Sequence, residues 1–104
     1  RELAEYMKGK LQDNEVLITS ISSGAVTLRY YYGDAENIYG VRNLKETKEI
    51  INGKERIWLV LSFWKYGDPN GLIQEYINQN YDILESKSFF DIEIYHMQKK
   101  DILE

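Results

Sequence analysis

The sequence predicts a single α/β domain: a three-layer sandwich around a small, mostly parallel sheet with an antiparallel C-terminal strand. Residues 57–64 are apolar except for Ser62 and show no alternation between two faces, which is typical of a central strand covered by helices on both sides. Turn-forming residues bracket this run at 52–53 and 67–71. Strand and helix patterns also alternate along the chain, as they do in sheets with right-handed crossovers. We therefore expect a Rossmann-like or flavodoxin-like architecture.

Patterns in the first half of the chain predict three helices and two strands. A helix is expected where apolar residues recur every three or four positions, and a strand where β-branched residues cluster between turns. Ser22, Ser23 and Gly24 supply a turn after the first strand and the cap of the next helix. The predicted elements are a helix over 1–11, a core strand over 15–21, a helix over 25–32, a weak edge strand over 37–41 and a helix over 44–51.

The second half predicts the central strand, one helix and the closing strands. Asp68 is placed to cap a helix that begins at Pro69 and ends near Asn80. Residues 89–98 alternate apolar and polar side chains, which predicts a strand exposed on one face and antiparallel to its neighbours. The remaining expectations are a buried helical stripe of Leu72, Ile73, Tyr76 and Ile77, a strand over 82–87, a domain over 1–98 and a frayed tail over 99–104.

Size and composition exclude several classes of protein. With 104 residues the chain supports one domain and one modest core. Its net charge of -4, with Lys and Arg scattered among acidic residues, argues against nucleic acid as a partner. The absence of cysteine excludes disulfides and thiolate metal sites. The apolar run at 57–64 is far shorter than the roughly 20 residues that cross a bilayer.

The N-terminal residues indicate whether the chain is a domain of a longer protein. The sequence begins at Arg1, directly inside a helical pattern, and has no apolar signal-peptide region. We therefore expect a domain excised from a longer protein, and a processed mature N-terminus is the alternative.

Candidate ligand-binding residues follow the ends of two predicted parallel strands. Ligands of open α/β sheets bind beyond the carboxyl ends of the strands, where the strand order reverses. Backbone N–H groups at two helix starts could hold an anion there. The alternative is that these residues are ordinary helix caps and turns. The candidates are Ser22, Ser23 and Gly24 after the first strand, and Ser62, Trp64, Tyr66 and Asp68 after the central strand.

No motif for a cofactor, a metal or catalysis is present in the sequence. Neither G-x-G-x-x-G nor the phosphate-binding G-x-x-x-x-G-K-[ST] occurs, so no cofactor is predicted. His96 is the only histidine, and we interpret it as a partly buried or rim residue rather than a base or a zinc ligand. A triad of Ser62, His96 and Asp68 lacks the G-x-S-x-G turn that such a serine needs.

Aromatic residues are the unusual feature of the composition. Trp58 is predicted to lie in the core. Trp64, Tyr66 and a tyrosine of the run 30–32 are candidates for an exposed lip, because aromatic rings stack on sugars and lie at membrane interfaces. The alternative is that these rings also fill the core.

Four segments together resemble a known module. They are Glu-Val-Leu-Ile-Thr-Ser (15–20), Leu-Arg-Tyr-Tyr-Tyr-Gly (28–33), Glu-Arg-Ile-Trp-Leu-Val-Leu-Ser (55–62) and Ile-Glu-Ile-Tyr (92–95). In this order the chain resembles, over residues 1–98, the C-terminal soluble domain of multi-spanning membrane glycosyltransferases of the protein mannosyltransferase and aminoarabinose transferase class. The shared segments are core features and not catalytic signatures.

The resemblance implies a location and a role. Such domains lie at the cell membrane on the extracytoplasmic side, and the catalytic acid of these enzymes lies in a membrane-embedded loop, so no catalytic residue transfers to this chain. The implied partners are the membrane-embedded part of the same parent chain and, as a candidate, a glycan or polyprenyl-linked sugar. The implied role is to stabilise the membrane part or to position the acceptor. A free-standing small-molecule or nucleotide-binding domain and a protein-interaction module remain the alternatives.

Overall fold

Three helices and five strands make up the described part of the computed structural model, which comprises residues 2–19, 37–62, 71–89 and 92–101. The predicted helix over 25–32 lies outside these residues. In chain order the elements are α1 (Glu2–Met7), β1 (Val16–Thr19), β2 (Ile38–Gly40), α2 (Leu44–Ile51), β3 (Arg56–Ser62), α3 (Leu72–Asn80), β4 (Tyr81–Phe89) and β5 (Ile92–Lys99).

The strands form one open sheet in the order β2-β1-β3-β5-β4. β1 pairs in parallel with both β2 and β3, whereas β5 is antiparallel to both β3 and β4. Four strands therefore point in one direction and β5 points in the other. The fold is a mixed α/β fold, with the expected antiparallel C-terminal strand. As predicted, β3 lies at the centre and β2 at an edge.

The central strand is buried on both faces because successive side chains point to opposite sides of the sheet. Ile57, Leu59 and Leu61 belong to a hydrophobic cluster that includes residues of α2 and α3. Trp58 and Val60 belong to a second cluster, which includes Met7 of α1. The two clusters explain why residues 57–61 are continuously apolar.

Helix α2 occupies the predicted range because both of its ends carry local signals. Asn43 is the N-cap, and its side-chain oxygen accepts a hydrogen bond from the Glu46 backbone N–H at 2.8 Å. The Glu46 carboxylate in turn accepts one from the Arg42 backbone N–H at 2.8 Å. After Asn52, Gly53 has a φ of +79°, a backbone conformation that ends many helices.

Helix α3 begins later than the sequence predicts. Its N-cap is Gly71, which makes no side-chain capping hydrogen bond, so the assignment of Asp68 as the N-cap was wrong. Leu72 is also 49% exposed and not part of the buried stripe, whereas Ile73 and Ile77 are buried. Side chains advance by about 100° per residue in a helix, which turns Leu72 away from the side defined by Ile73 and Ile77.

The closing strands differ from the prediction in which of them is exposed. We expected residues 89–98 to be exposed on one face, but β5 lies between β3 and β4, with Ile94 buried in one cluster and Met97 in the other. That expectation was wrong because alternation in sequence does not reveal which strand is inserted next to the centre. The exposed strand is β4, whose residues 82–88 are all exposed.

Both chain ends depart from the predicted boundaries. Helix α1 ends at Met7, and Gly9, with a φ of +78°, follows in the turn. At the other end β5 includes Lys99, and the Lys100 backbone N–H donates to the Asn80 carbonyl at 2.9 Å, so the predicted tail begins inside the sheet.

The core role of α3 is tested by Ile77→Ala, which removes a buried side chain between the helix and β3. We expect a loss of about 2–5 kcal/mol in the free energy of unfolding, measured by urea denaturation. Leu72→Ala on the same helix is the matched control and should cost less than about 1 kcal/mol, because Leu72 is half exposed. Equal losses in the two variants would contradict this packing.

Candidate functional site

The carboxyl ends of the three parallel strands meet at one edge of the sheet. Thr19 of β1 lies opposite Gly40 of β2 and Val60 of β3. Because β2 lies on one side of β1 and β3 on the other, the strand order reverses at β1, which is where ligands bind in open sheets of this type. The sheet therefore has the edge at which ligand binding was predicted, and the binding itself stays a prediction.

The side chains predicted for that edge are not among those the structure describes. Ser62 ends β3, but its side chain falls outside the described part, so its role stays a prediction. The other candidates lie entirely outside the described residues and also stay predictions: Ser22, Ser23, Gly24, Trp64, Tyr66 and Asp68.

A buried polar cluster of Glu15, Trp58 and His96 lies within the sheet. Glu15 directly precedes β1 and is only 3% exposed. Its Oε1 accepts hydrogen bonds from the Trp58 Nε1–H at 2.9 Å and from the Gln12 backbone N–H at 3.2 Å, while its Oε2 lies 2.9 Å from His96 Nε2. Both carboxylate oxygens are thus bonded inside the protein.

His96 is held from two directions. It faces Trp58 across the β3–β5 pair, and the two rings stack with their centroids 4.0 Å apart and an interplanar angle of 4°. Its side chain is 14% exposed, which confirms the expectation of a partly buried histidine. An ionised carboxylate only accepts hydrogen bonds, so we assign the proton to Nε2, which donates to Glu15.

The environment of Glu15 favours its ionised form. Burial alone raises the pKa of this carboxyl group, because a charge is costly away from water. The hydrogen bonds from Trp58, His96 and the Gln12 amide, together with the charge of His96, outweigh burial and hold the pKa of Glu15 below its ordinary value. Glu15 is therefore a carboxylate at neutral pH, and both of its oxygens are hydrogen-bonded to other groups of the protein.

A second polar cluster joins α1 and the turn after it to β4. Glu85, which faces His96 across the β4–β5 pair, accepts a hydrogen bond from the Tyr6 hydroxyl and lies 3.5 Å from Lys10 Nζ. Burial, the hydrogen bond to Glu85 and the charge of Glu85 raise the pKa of Tyr6 to about 12. Lys10 Nζ also lies 4.7 Å from the centroid of the Tyr6 ring, and Tyr6 meets Phe89 edge to face.

A cavity of about 160 Å³ opens between α3 and the strands β3, β5 and β4. Side chains of β3 and β5 supply most of its apolar lining, and two amide side chains of α3 line it as well. The lining residues are Leu59, Leu61, Gln74, Asn78, Ile83, Tyr95 and Met97.

The described part of the chain contains polar clusters that stabilise the fold. The hydrogen bonds of Glu15 connect the start of β1 to β3 and β5, so this cluster has a structural role. Within the described ranges, no three His, Asp or Glu side chains are placed to hold a metal ion. None of the helices found there has both the length and the apolar character that crossing a membrane requires.

Sequence reasoning missed the Glu15 cluster. The signal was an acidic residue directly before four buried strand residues, Val16–Thr19. Its partners could not be deduced, because His96 lies 81 positions away in the chain. His96 was also the histidine of the rejected triad with Ser62 and Asp68. Its Nε2 is instead hydrogen-bonded to Glu15.

Comparisons with family models, with curated proteins and with solved structures found no match to this chain. Any assignment of function therefore rests on the residues and geometry described above and on the resemblance noted in the sequence.

The lowered pKa of Glu15 predicts a specific loss of stability in acid. Folding favours the ionised form, so the contribution of Glu15 to the free energy of unfolding is present above the ordinary glutamate pKa of about 4.5 and is lost as the pH falls through the lower folded value. Between about pH 7 and about pH 3 the free energy of unfolding should fall more steeply in the wild type than in Glu15→Gln.

The control for this pH series is Glu49→Gln, which changes an exposed carboxylate on α2. This variant should follow the wild-type profile. If Glu15→Gln also follows that profile, the hydrogen bonds to Glu15 do not contribute to acid stability as described.

Trp58→Phe tests the hydrogen bond in the core. It keeps an aromatic ring next to His96 but removes the Nε1–H that bonds Glu15 at 2.9 Å. We expect a loss of about 1–3 kcal/mol in the free energy of unfolding, because a buried carboxylate loses a donor. The loss should be smaller in a Glu15→Leu background, which has no acceptor for the Nε1–H, and an equal loss in both backgrounds would show that only ring packing matters.

Proposed function

We propose that this chain is a non-catalytic accessory domain of a membrane glycosyltransferase that uses polyprenyl-phosphate sugars. The domain lies on the extracytoplasmic side of the cell membrane. It stabilises the membrane-embedded part of the same parent chain or helps to position the acceptor. The resemblance over residues 1–98, in the segments around β1, β3 and β5, supports the choice of family.

The bonding of His96 is the observation that supports a non-catalytic role. His96 is the only histidine of the chain. Its Nε2 is committed to a buried carboxylate, and its ring is stacked on a buried tryptophan. A general base must be able to reach the proton that it abstracts. A histidine that holds three strands together is better suited to maintaining the fold than to catalysis.

The packing of the helices supports a three-layer, Rossmann-like or flavodoxin-like arrangement. Side chains of α2 and α3 join the cluster on one face of β3, and Met7 of α1 joins the cluster on the other. The strand order β2-β1-β3 agrees with such a sheet. In this proposal the domain is a rigid body that presents its loops and edges to the rest of the parent protein.

Two other functions are each favoured by one observation. The reversal of strand order at β1 favours a small-molecule or nucleotide-binding domain. The exposed strand β4 favours a protein-interaction module. The coding sequence upstream of Arg1 distinguishes them: a series of hydrophobic spans, each of about 20 residues, supports the transferase, and a start codon or a neighbouring domain without such spans supports the alternatives.

The aromatic lip is tested in the full-length parent protein with the double variant Trp64→Ala and Tyr66→Ala. If these rings contact the sugar or the bilayer surface, loss of both should lower sugar transfer about thirtyfold, since each of the two aromatic contacts contributes about 1 kcal/mol. Transfer to the acceptor and assembly in the membrane are measured together. Leu72→Ala, at an exposed position on α3, is the control.

Unchanged transfer and unchanged assembly in the double variant would reject the role of the lip. Turnover of a sugar substrate by the isolated 104-residue chain would reject the non-catalytic assignment as a whole.

A further inference from the structure

The outer edge of β4 is the most exposed regular structure in the described part of the chain. β4 is the last strand of the sheet, and β5 is its only partner among the described strands. Residues 82–88 are exposed, including Ile83 at 55% and Leu84 at 50%. The outer edge of such a strand carries a row of backbone N–H and C=O groups that no described strand pairs, and such a row is a template for another chain.

We propose that this edge binds an extended polypeptide segment of the parent protein, which adds a sixth strand next to β4. The identification of the parent rests on the proposed function. The backbone groups that no described strand pairs select the kind of partner, because an extended polypeptide offers N–H and C=O groups at the matching spacing and the hydrocarbon core of a bilayer does not. An added strand satisfies them through its own backbone and gains specificity from alternate side chains.

The strand register defines the chemistry of the partner on one face of the sheet. Asp82 faces Gln98 and Lys87 faces Ile94, and both positions lie on the same face as Trp58. Opposite charges in neighbouring strands attract each other, and like charges repel. The added strand is therefore expected to place a cation beside Asp82 and an anion beside Lys87.

On the other face the register defines an apolar contact. Ile83 faces Met97, and both residues line the cavity beneath α3. An apolar side chain of the added strand would cover Ile83 at the mouth of this cavity. The partner is therefore a strand that places an apolar side chain beside Ile83 on this face and paired charges on the other face.

The irregularity in β4 makes the edge selective. A bulge between Ile83 and Glu85 leaves Leu84 as an extra residue in the strand. Bulges and charged side chains protect sheet edges from indiscriminate pairing, so only a segment with a matching register and matching charges is expected to bind.

Amide hydrogen exchange in the full-length parent protein tests this proposal. Exchange of the amides in residues 82–88 should be about tenfold slower in the parent than in the isolated 104-residue chain, because the added strand protects alternate amides. Ile83→Lys in the parent should abolish this protection, because it places a charge at the apolar contact with the added strand. Leu72→Lys changes a residue of similar exposure on α3 and should leave the protection intact.

Three results would overturn the proposal. They are equal exchange in the parent and the isolated chain, equal effects of the two lysine variants, and protection in the isolated chain that rises with concentration, which would assign the edge to a second copy. Failure of the proposed function is seen separately, as an upstream coding sequence without membrane spans. If the spans are present and exchange is unchanged, only the assignment of the edge fails.

Discussion

Burial of β3 on both faces is the constraint on which the rest of the structure depends. Ile57, Leu59 and Leu61 pack with residues of α2 and α3, and Trp58 and Val60 pack with Met7 of α1. A strand with two apolar faces is stable only if both faces are covered and both edges are paired. β1 and β5 pair its edges, one in parallel and one antiparallel. The remaining strands extend the sheet outward from this centre, to β2 on one side and β4 on the other.

The Glu15 cluster shows how a charge is accommodated beside this core. A buried carboxylate is costly unless hydrogen bonds replace the water that it loses. Trp58 and the Gln12 amide satisfy one oxygen, and His96 satisfies the other. These bonds connect the entry to β1 with β3 and β5, so a shift in the register of either pairing would leave the charge unsatisfied. The cluster therefore helps to specify one arrangement of the strands.

The elements with local signals could be predicted from the sequence. Helix α2 has a cap at Asn43 and a glycine after its end, and β3 has a continuous apolar run, so both were predicted correctly. The order of the two closing strands could not be predicted. Alternation in residues 89–98 indicates a strand, but it does not show that β4 lies outside that strand. The start of α3 was predicted at residue 69, three residues before its actual start at Leu72, because an Asp-Pro pair is a sequence signal for a helix start.

The candidate site was predictable only in outline. The edge where the parallel strands end was expected from the order of the elements, and the sheet contains it. The polar cluster was not predicted, because its partners come together only when β1, β3 and β5 are side by side. The exposure of β4 was not predicted either, because it follows from the position of this strand at the edge of the sheet.

Native-state hydrogen exchange of the isolated chain tests most directly that β3 is the doubly buried centre. The backbone amides of Trp58, Leu59 and Val60 lie between two paired strands. They should exchange only through global unfolding, with a free energy equal to that from urea denaturation. Exchange of these three amides at the rate of the exposed strand β4 would contradict the account.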